Sequence, residues 1–115
     1  MSVETRLSAE RFNELFRLLA HRHRRHVVAV LRTHGERLSL ADVTDEVAEM
    51  ERDRTISEID PDEVLELYCA LYHTHVPLLE RAELVTYDQQ TDTVALVEEP
   101  PELAPLLDAD PAVTD

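Results

Sequence analysis

A mainly helical fold closed by a small antiparallel β-ribbon is what this 115-residue chain predicts, and three observations predict it. Apolar residues recur at helical spacing through four separate stretches. The last of these carries Tyr68, Leu71, Tyr72, His75, Leu78 and Leu79, and beyond Ala82 the period changes. Leu84-Val85-Thr86-Tyr87 is β-branched and aromatic, Gln89 to Asp92 is polar, and Thr93 to Val97 is apolar again, so two short strands flank a turn. Finally, the chain is 43% hydrophobic with clear periodicity, which argues against disorder even at a net charge of -14.

The elements follow in order. Ser8 is an N-cap candidate with Glu10 in the first turn, and Phe12, Leu15, Phe16 and Leu19 stand at i, i+3, i+4 and i+7. This predicts an amphipathic helix over roughly residues 9–20, with both phenylalanines of the chain on one stripe. A second helix is expected from Arg22 to His34, with Val27, Val30 and Leu31 inward, stopping at Gly35. That is the only glycine in the chain, at the place where a left-handed residue ends a helix. Arg37-Leu38-Ser39 suits a very short strand. Ser39 then caps a third helix with Asp42 at the capping-box position and Leu40, Val43 and Val47 facing inward. Residues 51–59 read as a longer connection with little pattern. Asp60-Pro61-Asp62-Glu63 is a strong helix start, and the fourth helix carries Val64, Leu67, Tyr68, Leu71, Tyr72 and His75. Pro77 cannot donate to the His73 carbonyl, so a kink or break is expected there. From Glu98 onward, four prolines and six acidic residues predict a flexible acidic tail. The organisation expected is therefore an N-terminal helix over 1–21, a helical domain with its ribbon over 22–97, and a Pro-rich tail over 98–115.

Helix, short strand, helix, long helix and two-stranded ribbon is the order of a winged helix-turn-helix. Two segments, Leu38-Ser-Leu-Ala-Asp-Val-Thr-Asp-Glu-Val-Ala48 and Leu71-Tyr-His-Thr-His-Val-Pro-Leu-Leu-Glu-Arg-Ala-Glu-Leu-Val-Thr-Tyr-Asp88, carry a closer likeness. Through them residues 22–97 resemble the winged-helix domains of archaeal transcription regulators. The ArsR-like group is the nearest, and within it a family of small haloarchaeal winged-helix proteins. The resemblance implies sequence-specific binding of double-stranded DNA, usually as a homodimer, with no enzyme activity. It also implies that Tyr72-His-x-His75 belongs to the recognition helix and its exit. The chain departs from the family pattern at Glu83, where members usually carry Gly. It departs again between Asp60 and His75, where there is no Arg and Asp60, Asp62, Glu63 and Glu66 crowd the helix start. Acidic groups there repel phosphate, although a carboxylate accepts from cytosine N4.

The charge is unevenly spread. Residues 1–37 hold eight Arg and four acidic residues, and residues 38–115 hold three Arg and 21 acidic residues, with no Lys anywhere. Dense acidity without Lys resembles the proteins of halophilic archaea, whose molar internal salt shortens the Debye length to about 3 Å. No apolar run approaches the roughly 20 residues of a membrane span, no signal peptide is visible, and the lone Cys69 forms no internal disulfide. A cytoplasmic protein that does not act on membranes is expected, with Cys69 buried or half-buried.

If DNA is the ligand, phosphate contacts fall to Arg22, Arg24 and Arg25 at the start of the second helix, to Arg52 and Arg54 before the fourth, and to Arg81 near the ribbon. Tyr72 and His73 are the candidates for base-edge or sugar contact. The alternative for the Arg22 cluster is pairing with the acidic half of the same protein or of a partner subunit. Phe12, Leu15, Phe16 and Leu19 form a candidate dimer interface. His73 and His75, two residues apart on a helix, point about 200° apart and cannot chelate one ion. His23 and His26 share a face without a set that completes a zinc site. No metal or other cofactor is therefore expected, and no catalytic residue. His75 is expected in the core and His73 towards solvent or DNA. The rival to DNA binding is a winged-helix protein–protein interaction module without it.

Overall fold

The computed structural model describes residues 3–97 and 103–108, with side chains over 9–97 and at 103, 106 and 107. Helix α1 spans Val3–Leu18, starting ahead of the Ser8 cap expected from the sequence. Helix α2 spans Arg22–His34 and ends, as expected, at Gly35, whose φ of 67° lets its N–H reach the Leu31 carbonyl. Strand β1 is Leu38–Ser39 and leads directly into α3, Leu40–Arg52. The Ser39 hydroxyl accepts from the Asp42 N–H at 3.0 Å, which fixes that helix start.

The connection after α3 is more ordered than its sequence suggested. Thr55 and Glu58 close a reciprocal cap on a short 3₁₀ turn, Ile56–Glu58, and Glu49 accepts from the Ile56 N–H. Helix α4, Pro61–Ala70, begins with Asp60 accepting from the Asp62 N–H and Pro61 in the first turn. The helix does not break at Pro77. The rod continues through a π segment, Leu71–His75, into α5, Val76–Arg81. The Val76 N–H bonds the Leu71 carbonyl, one residue further back than in an α-helix. One widened turn just before the proline absorbs its missing donor, as π-bulges do.

Helix α5 ends in a Schellman motif. The Leu84 N–H bonds the Leu79 carbonyl at 3.0 Å and the Glu83 N–H bonds the Glu80 carbonyl at 3.0 Å. Glu83 takes a φ of 64°, the left-handed conformation that favours Gly. Strands β2, Val85–Asp88, and β3, Thr93–Leu96, follow as the expected ribbon. The sheet order is β1-β3-β2, antiparallel throughout, with Leu38 opposite Val94 and Tyr87 opposite Val94 on the other side. The architecture is a winged helix-turn-helix, mainly α with a small antiparallel sheet.

The core runs from α2 through α3 to α5 and the sheet, with Val27, Leu31, Leu40, Val43, Leu71, Leu79, Leu84 and Val94 sealed from solvent. Three expectations are corrected here. Leu15 and Leu19 belong to this core and are not available to a second subunit, whereas Phe12 and Phe16 stay exposed. The expected tail contains a helix, α6, Leu103–Asp108, whose Leu103 and Leu107 are buried against the same core and which contacts α1. The Pro-rich composition hid two leucines spaced four apart, enough to dock one turn of helix. Residues 98–102 and 109–115 of that segment lie outside the described residues. Cys69 is exposed, contrary to the expectation that it is buried or half-buried, because Tyr68 and Leu71 take the inward face of the rod.

Candidate nucleic-acid interface

The rod formed by α4, the π segment and α5 stands where a winged helix-turn-helix places its recognition helix, and the β2–β3 ribbon stands beside it. Rod and ribbon are joined through Asp92 and through Glu80, which accepts from the Tyr87 N–H. The hydroxyls of Tyr68, on α4, and Tyr87, on β2, both donate to the carboxylate of Asp92 in the ribbon turn. The bond to Asp92 and burial push the Tyr68 phenol up to about 12, and burial together with the same carboxylate raises Tyr87 as well. Both hydroxyls therefore keep their protons and remain donors. The Asp92 carbonyl accepts the Leu40 N–H at 2.9 Å, tying the turn to the start of α3. Arg37 reaches across the sheet, donating to the Thr86 hydroxyl at 2.7 Å and to the Thr93 carbonyl at 3.2 Å. Rod and ribbon are thus held at a fixed angle, the pre-organisation that a groove-reading surface requires.

The expected contact residues divide into separate groups. Tyr72 is half-buried, with its ring 6.4 Å from Tyr68 and nearly parallel, and 5.9 Å from Tyr87 at 81°. His73 is exposed, edge-on to Tyr72 at 4.8 Å. These two line a cleft with Tyr87 of the ribbon, as a base or sugar contact would require. Arg52 and Arg54 lie at the other end of the rod. Arg54 is exposed, and the guanidinium of Arg52 lies 3.4 Å from Glu63, each side chain about half exposed. Arg81, exposed at the end of α5, lines neither this cleft nor the one around Arg52.

The Arg22, Arg24 and Arg25 cluster is largely engaged within the chain. Arg25 donates to the carbonyls of Leu19 and Ala20, both at 2.8 Å, and so caps the C-terminus of α1. Arg22 lies 3.8 Å from Glu51. Arg24 is half-buried with its Nε enclosed and unpartnered. Of the three, Arg22 is the most available to a phosphate, with 64% of its side chain exposed.

Glu51 is the residue that sequence reasoning passed over. Its side chain is only 6% exposed, and its Oε2 accepts from Nδ1 of both His23 and His26 at 2.7 Å. Burial alone would raise its pKa, but the bonds from His26 and His23 together prevail and hold the carboxyl below its ordinary range. The rings of His21, His23 and His75 gather beside it, with centroids 4.3 to 5.3 Å apart. The start of α2, the end of α3 and the π segment therefore meet around one carboxylate. Nothing local in the sequence marks this, because Glu51 is 25 and 28 residues from its histidine partners. As expected, His75 is buried and His73 is exposed. Among the described residues, no group of three or more His, Cys, Asp or Glu side chains is placed to hold a metal ion, and no helix is long and apolar enough to cross a membrane.

The model of one protein family, described as a domain of unknown function (DUF7344), matches residues 16–95. No curated protein and no solved structure matches the chain.

Proposed function

The chain belongs to the DUF7344 family, whose shared segment spans the helix-turn-helix and the ribbon, and we propose that it is a DNA-binding transcriptional regulator acting in the cytoplasm of a salt-adapted archaeal cell. The observation that carries this reading is the exposed rod clamped to the ribbon through Asp92, with Tyr72 and His73 presented in the angle between them. Phosphate contacts come from Arg54, Arg22 and Arg81, which are exposed, and from Arg52 once it exchanges Glu63 for a phosphate. Surface ion pairs of that kind contribute about 0–1 kcal/mol, so the exchange costs little. The protein acts as a homodimer through Phe12 and Phe16, stacked on the outer face of α1 with ring centroids 6.4 Å apart.

Retention of genomic DNA fragments by the purified protein at molar KCl tests this, with an unrelated acidic protein as control. Replacing Arg52 and Arg54 by Ala should weaken binding to all sequences and lower the salt slope by about one for each phosphate no longer neutralised. Equal retention by protein and control would remove the reading. A second reading, a winged-helix interaction module that binds protein instead of DNA, is favoured by the exposed Asp60, Asp62, Glu63 and Glu66 at the start of the rod. Capture of no DNA together with binding of a basic polypeptide would decide for it.

A further inference from the structure

All three tyrosines of the chain gather where the rod meets the ribbon. Tyr72 and Tyr87 stand nearly perpendicular and form two walls of a corner, with His73 edge-on to the first. Val76 and Pro77 also line the cleft, as does the exposed Glu80. Glu80 uses one carboxylate oxygen, Oε2, to accept the Tyr87 N–H at 3.2 Å, which stations a negative charge against the β2 wall. The Tyr87 ring is fixed in place because its hydroxyl is bound to Asp92.

Two aromatic rings and a carboxylate around one cleft are complementary to a cation. The ring quadrupoles attract positive charge at their faces, and the carboxylate takes a forked donor. A phosphate would meet Glu80 and be repelled. The cleft volume of 310 Å³ sits at the low end of the roughly 300–1,000 Å³ of small-ligand sites, enough for one long side chain but not for a strand. A guanidinium fits better than an ammonium, because it is planar, stacks on aromatic faces and is less strongly hydrated.

We propose that this corner is the docking site for an arginine side chain presented by a basic segment of a partner protein. The proposal goes beyond the DNA-binding reading. The corner contains Tyr72 and His73, so a partner seated there covers the surface offered to DNA, and the two ligands exclude one another.

The test uses dye-labelled peptides of alternating Gly and Arg, Gly and Lys, or Gly and Glu, titrated with the full chain at one KCl concentration and read by fluorescence anisotropy. The arginine peptide should bind saturably, the lysine peptide several-fold more weakly, and the glutamate peptide not at all. Glu80→Gln should weaken the arginine peptide about tenfold, as expected for loss of a charge-assisted pair. Tyr72→Phe should bind as wild type does, whereas Tyr72→Leu should lose binding, with unchanged far-UV circular dichroism showing that each variant is folded. Absence of binding by the wild type overturns the proposal. So does equal binding of the arginine and lysine peptides with no effect of Glu80→Gln, which is diffuse attraction to an acidic surface. DNA retention is measured separately, so the peptide titration tests the corner even in a protein that binds no DNA. Where DNA is retained, the arginine peptide should displace it and the lysine peptide should do so less well.

Discussion

Replacing His75 by Phe should remove much of the acid sensitivity of the fold. His75 closes the π segment, is 6% exposed, and keeps an enclosed, unpartnered Nδ1. Burial first, and then the neighbouring His21, His23 and Arg24, lower its pKa to about 4 from the 6.5 of a free histidine, against a smaller opposing pull from Glu51. In the unfolded chain the group binds its proton near pH 6.5, and in the folded chain only near pH 4. Between those values the unfolded state holds the extra proton, so stability falls as the pH drops through that window and levels off below it. From pH 7 to pH 5 this one group costs about 2 kcal/mol, at 1.36 kcal/mol per pH unit across the part of the window traversed. His21, lowered in the same direction by burial, His23 and Arg24, adds to the trend, while His34, raised by its bond to Glu46, opposes it. The clean quantity is therefore the difference between variant and wild type. Urea unfolding followed by circular dichroism at pH 7 and pH 5, in the same KCl, supplies it. The wild type should lose about 2 kcal/mol more than His75→Phe between the two pH values. Phenylalanine fills the ring site without a nitrogen to desolvate, so it should be tolerated at pH 7. Equal losses in the two proteins would show that His75 does not carry the acid response, and that the ring cluster accepts a proton without strain.

Three further outcomes are expected. Glu83→Gly should stabilise the fold by about 1 kcal/mol, since the Schellman position already has φ of 64° and glycine adopts that conformation without a Cβ clash; an unchanged or lower urea midpoint would contradict this. Phe16→Asp should shift the sedimentation of the proposed homodimer to that of a monomer while leaving a folded protomer, because the side chain is 58% exposed; a monomeric wild type would refute the interface. Lowering KCl from molar to tenth-molar should lower the melting temperature, because longer-range repulsion among -14 net charges returns; a flat or rising value would count against salt adaptation.

Much of the fold was legible because the chain marks its own boundaries. Gly35 ends α2, Ser39 opens α3, and Asp60-Pro61 opens α4, each through a local backbone demand that one residue type meets. The ribbon was legible from its change of period. What escaped was long-range. Pro77 announced a missing hydrogen bond, but not that one wider turn would accommodate it. Leu15 and Leu19 showed an apolar stripe without showing which surface would cover it. Tyr68 and Tyr72 were legible at helical spacing and Tyr87 as a strand residue, yet Asp92, the acceptor for Tyr68 and Tyr87, looked like one more acidic turn residue among 25. Glu51 sat in a stretch without pattern, and its role depends on histidines brought to it by the packing of α2 on α3.

The docking of α6 has a bearing on what this family inherits. The matched segment, residues 16–95, stops short of Leu15 at one end and of Leu103 and Leu107 at the other, yet all three are sealed in the interior. The segment that the family model matches is thus smaller than what this chain packs. A version trimmed to the shared borders would bare the apolar surface those leucines cover, and would be a poor surrogate for the whole in any measurement of solubility or assembly.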